Sequence, residues 1–105
     1  MKLWIDDIRQ KPNEDYIWAK SVNAAKWTIL MHEWMIKHKG SDPIKLIDID
    51  YDAGDFAIDG GDYIKLLDWL EETDRNYPIR IHSMNPVGVA NMRAIIQRNG
   101  WKEIF

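Results

Sequence analysis

Residues 47–55 read IDIDYDAGD, which places four aspartates in nine positions. The stretch follows Pro43 and the apolar run IKLI (44–47). Residues 44–49 read as a β-strand, and Leu46 and Ile47 suggest burial on both faces, as in a parallel sheet. Carboxylates this close repel one another, and burying one alone is unfavourable. The stretch is therefore either a solvated loop or a place that expects a cation.

Outward from it, the chain alternates. KLWI (2–5) reads as a strand closed by Asp6 and Asp7, and IRQKPNED (8–15) reads as loop. YIWAK (16–20) reads as a second strand. Ser21 suits an N-cap for a helix over 22–38, with Val22, Ala25, Ile29 and Ile36 on one face and Gly40 at its end. Gly54–Gly61 reads as a loop. A helix over 62–73 carries Tyr63, Leu66, Leu67 and Leu70 on one side. IRIHS (79–83) is the next strand. Asn85-Pro86 reads as N-cap and first residue of a helix that turns Met92, Ile95 and Ile96 inward and stops at Asn99-Gly100. WKEIF (101–105) reads as a last short strand.

Strands alternating with helices imply a parallel sheet covered by helices, a three-layer α/β/α arrangement in one domain over residues 1–105. The link from the first strand to the second is too short for the usual helical crossover. The second strand is therefore expected to be short, at an edge, or absent.

The totals narrow the function classes. The chain has 105 residues and a net charge of −3 from 14 basic and 17 acidic side chains. That balance gives no support for generic binding to a nucleic-acid backbone. There is no cysteine, which excludes disulfides, zinc–thiolate sites and thiol nucleophiles. No apolar run approaches the ~20 residues of a membrane helix. The N-terminus turns acidic at Asp6, unlike a signal peptide, so a cytoplasmic location without membrane attachment is expected.

In open parallel sheets, ligands bind beyond the carboxyl ends of the strands. This chain puts Asp6 and Asp7 there after strand one, Asp50 and Asp52 after strand three, and His82, Ser83 and Asn85 after strand four. If these three strands are neighbours, the residues share one rim. Clustered carboxylates suit a hard divalent cation such as magnesium, which commonly bridges to phosphate. Ser83 and the amides opening the helix at Pro86 suit phosphate oxygens, and His82 suits a general acid or base.

Plainer readings exist for each residue. Asp6 or Asp7 would cap a turn. Asp48 alternates with Ile47 and Ile49 as a half-exposed strand residue. Asp55 and Asp59 would be loop solvation or caps, His82 a satisfied strand histidine, and Asn85 only an N-cap. His32 and His38 read as surface residues. The six tryptophans are mostly packing, with room for a dimer face.

LWIDDIR (3–9), IDYDAGD (49–55) and IHSMNPVGVANM (81–92) together resemble the cyclic-phosphate processing receiver family, a branch of the response-regulator receiver fold. The resemblance covers nearly the whole chain. It implies a receiver- or flavodoxin-like sheet that lacks the first receiver helix. It further implies magnesium-dependent phosphoryl transfer or hydrolysis on a cyclic phosphate, at an RNA end or on a nucleotide. The alternative is a phospho-accepting or nucleotide-holding receiver without turnover. Carried over by motif, Asp6, Asp7 and Asp50 would bind the metal. Asp50, Asp52, His82 and Ser83 would serve catalysis, and Arg9 and Asn85 would hold the ligand. The family histidine between the two aspartates is Tyr51 here. The lysine that ordinary receivers carry after strand five has no good counterpart, since Lys102 lies within the last strand.

Overall fold

A computed structural model describes all 105 residues. Four parallel strands, β1 (Lys2–Ile5), β2 (Tyr16–Ala19), β3 (Leu46–Ile49) and β4 (Ile79–Ile81), form one sheet in the order β2-β1-β3-β4. Three helices join them: α1 (Val22–Lys39), α2 (Ile64–Glu72) and α3 (Pro86–Asn99). No helix is long and apolar enough to cross a membrane. The receiver-like parallel sheet is the expected one, β2 takes the edge, and no helix lies between β1 and β2.

The helix ends follow their local chemistry. The Ser21 hydroxyl accepts the Ala24 N–H at 3.0 Å, and Gly40 closes α1 in the left-handed region with φ 66°. Lys37, His38 and Lys39 fill the last turn, where positive charge suits the helix dipole. Asn85 caps α3 by accepting the Gly88 N–H at 3.0 Å, with Pro86 directly after it. α2 starts at Ile64, later than the expected residue 62. The Asp62 carboxylate instead accepts the Ala53 N–H at 3.2 Å and holds the loop, which contains a short 3₁₀ turn over Gly54–Ile58.

The sheet has two unlike faces. Leu3, Ile5, Ile47, Ile49 and Ile79 point to one side, where they join Val22, Ala25 and Ile29 of α1, Leu66, Leu67 and Leu70 of α2, and Met92, Ile95 and Ile96 of α3 in one core. Ile36, read as a fourth inward residue of α1, is only half-buried. β2, β3 and β4 follow one another in a single direction across the sheet on either side of β1. Right-handed crossovers running one way deliver their helices to one face. The other face carries Trp18, Trp4, Asp48 and Arg80, in register across β2, β1, β3 and β4, with Tyr16 on the same face opposite Lys2. The loop over 6–15 closes against this face. The Trp4 indole donates to the Arg9 carbonyl at 2.8 Å, and Lys11 donates to the Tyr16 carbonyl at 3.0 Å. The third layer of the expected arrangement is thus loop rather than helix.

Two strand boundaries differ from expectation. β3 pairs only from Leu46, although Ile44 is already buried. Residues 101–105 make a single parallel bridge, Glu103 to Ile79, rather than a strand. Glu103 is turned toward α3 by Arg93, at 2.6 Å, and β4 has only three residues to pair with.

Gly88, in the first turn of α3, lies under the ring of Tyr51. A Cβ there would stand 2.3 Å from Tyr51 Cγ. Gly88→Ala is expected to lower stability by about 1–3 kcal/mol through overpacking, against a helix preference for alanine of about 1 kcal/mol. Urea unfolding of Gly88→Ala, Tyr51→Ala and the double variant tests this contact. The loss should vanish in the Tyr51→Ala background; an equal loss in both backgrounds refutes the contact.

Candidate functional site

The carboxyl ends of β1, β3 and β4 meet on one rim. The Asp50 N–H donates to the Ile5 carbonyl and the His82 N–H donates to the Ile49 carbonyl, both at 2.9 Å. The three chains therefore leave the sheet side by side. Strand alternation then sends Asp6, Asp50 and His82 to the same side as Trp4, Asp48 and Arg80.

Asp48 corrects an expectation. It is fully buried rather than half-exposed. It accepts from His82 Nδ1 at 2.6 Å, from Arg80 Nη1 at 3.1 Å and from the Tyr16 hydroxyl at 3.4 Å. A buried carboxylate persists only when paired and hydrogen-bonded, and these three donors supply that. Burial and the Asp48 charge together raise the Tyr16 phenol above its ordinary value.

His82 bridges two acids. Its Nε2 lies 2.9 Å from Asp6 Oδ2, its Nδ1 contacts Asp48, and its side chain is 7% exposed. The ring stacks on the Trp4 indole with centroids 3.9 Å apart and planes parallel within 1°. Trp4 in turn meets Tyr16 edge-on, at 5.8 Å and 83°.

Asp6 is equally committed. Its Oδ1 accepts the N–H groups of Ile8 and Arg9, at 2.9 and 2.8 Å, and its carbonyl accepts the Trp18 indole at 2.7 Å. Burial pushes the Asp6 carboxyl up, but the Ile8 and Arg9 amides and His82 outweigh it and hold the group below its usual range. The turn-capping reading of Asp6 and its place at the rim are thus both present.

The remaining acids lack such partners. Asp7, Asp50 and Asp52 form no ion pair. Burial raises the Asp7 carboxyl, and the charges of Asp6, Asp50 and Asp52 raise it further. Asp7 lies against Gly54, where a Cβ would stand 2.3 Å from Asp7 Oδ2; Gly54 is left-handed with φ 55°. Glycine meets both demands without strain or displacement of Asp7. Asp50 Oδ1 accepts the Tyr51 N–H at 2.7 Å, and Oδ2 has no hydrogen-bond partner. Asp52 is exposed. Beneath them Tyr63 is buried and donates its hydroxyl to the Lys20 carbonyl; burial and the nearby acids push its phenol far up.

Around this rim stand the other expected ligand groups. Ser83 Oγ accepts the Asn85 N–H at 3.2 Å, and its own proton is free for a ligand. Arg9 donates to the His82 carbonyl at 3.3 Å, which lays its guanidinium beside the end of β4. The Asn85 side chain is spent on capping α3, and Pro86 has no N–H, so the start of α3 offers fewer amides than its sequence suggested. Asp59 clamps the loop to the start of α1 through Ser21 and Asn23, and Asp55 is exposed in the 3₁₀ turn.

Ligand atoms of Asp6, Asp50 and His82 lie within 4.8 Å of one another. An oxygen-rich set with unpaired negative charge beside it fits a hard divalent cation such as magnesium. Trp4, Tyr16, Asp48 and Arg80 escaped the motif reading. For Trp4, Asp48 and Arg80 the signal was the strand period of two, since each lies two residues before a rim acid or histidine; Tyr16, opposite Lys2, carried no such signal.

The family described as the cyclic-phosphate processing receiver domain matches residues 1–98. No curated protein and no solved structure matches the chain.

Two outcomes are expected here. Asp48→Ala strands His82 and Arg80 and should lower the unfolding free energy by about 3–5 kcal/mol, measured by denaturant titration; a loss below about 1 kcal/mol would remove Asp48 from its supporting role. Asp7 is raised in the folded state, so its contribution is full below the ordinary carboxylate range and is lost as pH rises through the raised value. Asp7→Asn should therefore melt higher than the parent at pH 7 and match it at low pH, and should gain less from added magnesium. Thermal melts across pH, with and without magnesium, check both.

Proposed function

The chain belongs to the cyclic-phosphate processing receiver family, and from that premise we propose that it opens a cyclic phosphate ester in a magnesium-dependent reaction. The substrate class is a small cyclic phosphate, carried on a nucleotide or at an RNA end. The observation that carries the reading is the uncompensated acid cluster, Asp7, Asp50 and Asp52, beside Ser83 and Arg9. None of these acids forms an ion pair within the chain, and a magnesium–phosphate pair would supply positive charge from outside.

When bound, magnesium supplies Lewis-acid polarisation of a phosphate oxygen. Asp50, with Asp6 and Asp7 adjoining, would hold the ion. The Ser83 hydroxyl and the Arg9 guanidinium bind the remaining phosphate oxygens and orient the ester for in-line attack. Water forms the new P–O bond as one ring P–O bond breaks. Asp52, exposed and unpaired, takes the proton from water, and the same proton passes to the departing alkoxide oxygen. Asp50 Oδ2 is also a candidate for direct attack on phosphorus. His82 keeps Asp6 in place instead of meeting the ester, because both of its nitrogens are engaged with buried carboxylates. Tyr51, in the position of the family histidine, packs on Gly88.

Phosphorus NMR of cyclic mononucleotides and an RNA ending in a cyclic phosphate tests the proposal. Magnesium-dependent ring opening is expected, with a loss of at least about 100-fold in Asp50→Asn. Magnesium binding without turnover across the panel would instead favour a phosphate-holding receiver, and turnover unchanged in Asp50→Asn would sink the mechanism.

A further inference from the structure

We propose that the outer face of α1 is a self-association surface, on which a second copy of this chain packs its own α1 antiparallel about a two-fold axis. The inference is independent of the rim chemistry. Trp27, Leu30, Met31 and Trp34 line one groove of about 300 Å³. They are 65%, 44%, 42% and 54% exposed. At about 100° per residue they lie roughly opposite Val22, Ala25 and Ile29, which α1 buries in the core. α1 is therefore apolar on two sides, and only one has a partner within the fold.

Three observations select a second copy as the occupant. The first is symmetry of the stripe. Within WTILMHEW (27–34) the four groove residues, Trp27, Leu30, Met31 and Trp34, are spaced identically in both directions, Ile29 being turned into the core. Antiparallel pairing sets Trp27 level with Trp34 of the second copy and Leu30 level with its Met31. A two-fold interface demands this kind of self-complementarity, in which each residue of a pair serves both roles.

The second is charge. The basic last turn, Lys37, His38 and Lys39, comes level with the start of the second copy's α1. There the Asn23 side chain and the Ser21 hydroxyl hold the exposed carboxylate of Asp59. Opposite charges meet at both ends, and the helix dipoles run in opposition. A parallel pair would set the two basic turns side by side. Within the groove there is no charge to desolvate: Glu33 is turned away to Arg75 and Tyr77, and Lys26 lies over Trp69.

The third is area. At ~250 Å² for a tryptophan side chain, Trp27 and Trp34 alone offer about 300 Å² per copy. With Leu30, Met31 and the flanking atoms, two copies remove on the order of 1,000 Å² from water, the lower bound of a specific interface.

Light scattering coupled to size exclusion, over a dilution series from about 1 mM, reads the mass directly. A two-chain mass that dissociates on dilution is expected for the parent. Leu30→Glu with Met31→Glu should give a one-chain mass throughout, with an unchanged far-ultraviolet spectrum because both sites are partly exposed. Trp34→Glu should do the same independently. Orientation is read by oxidising an equal mixture of Trp27→Cys and Trp34→Cys, since the chain has no cysteine of its own. Mixed disulfides should dominate. A one-chain mass at every concentration, a two-chain mass unmoved by the stripe variants, or preferential Trp27→Cys self-linking would overturn the proposal.

Discussion

The placement of His82 between Asp48 and Asp6 is the constraint on which the rest of the rim depends. It joins the ends of β1, β3 and β4 through two buried acids, and Arg80 and the Tyr16 hydroxyl complete the hydrogen bonding of Asp48. Charges this deeply buried are tolerated only as a set. Removing one member leaves the others uncompensated, so the cluster ties the three strand ends together. Trp4 adds a flat wall on which the imidazole ring lies.

That cluster occupies the sheet face that the missing helix leaves open. With no helix between β1 and β2, the face could not be left apolar without exposing it. The chain fills it with aromatic rings that each find a polar partner: the Trp4 indole on Arg9, the Trp18 indole on the Asp6 carbonyl, the Tyr16 hydroxyl on Asp48. The loop over 6–15 serves as the lid. Its turn is held by Asp6 itself, so one carboxylate both folds the loop and braces the rim.

A division of labour among the acids follows. Asp48 is consumed by hydrogen bonds and belongs to the framework, while Asp6 is braced by its hydrogen bonds and still stands at the rim. Asp7, Asp50 and Asp52 form no ion pair within the chain, and the Asp7 carboxyl is raised first by burial and further by the neighbouring acids. Gly54 has no Cβ because Asp7 already fills that space. The acids that the framework leaves unpaired are those that a cation and a phosphate would join.

Much of this was legible from the residues alone. Strand and helix order, the Ser21 and Asn85 caps, the Gly40 and Gly100 stops, and the meeting of Asp6, Asp50 and His82 on one rim all follow from local chemistry and period, which act over a few residues. The family motifs located the same rim. What sequence could not decide were matters of which groups face one another across the sheet. Asp48 read as half-exposed because alternation specifies a face and not what covers it, and the covering groups come from Tyr16 and Arg80, distant along the chain. His82 read as a free acid or base because its two carboxylate partners are supplied by different strands. The last segment read as a strand because a three-residue neighbour and the pull of Arg93 on Glu103 are invisible in WKEIF. Local pattern determined the elements and their order; tertiary packing alone decided which charges are spent on holding the fold and which remain for a ligand, because burial and pairing are properties of neighbours in space.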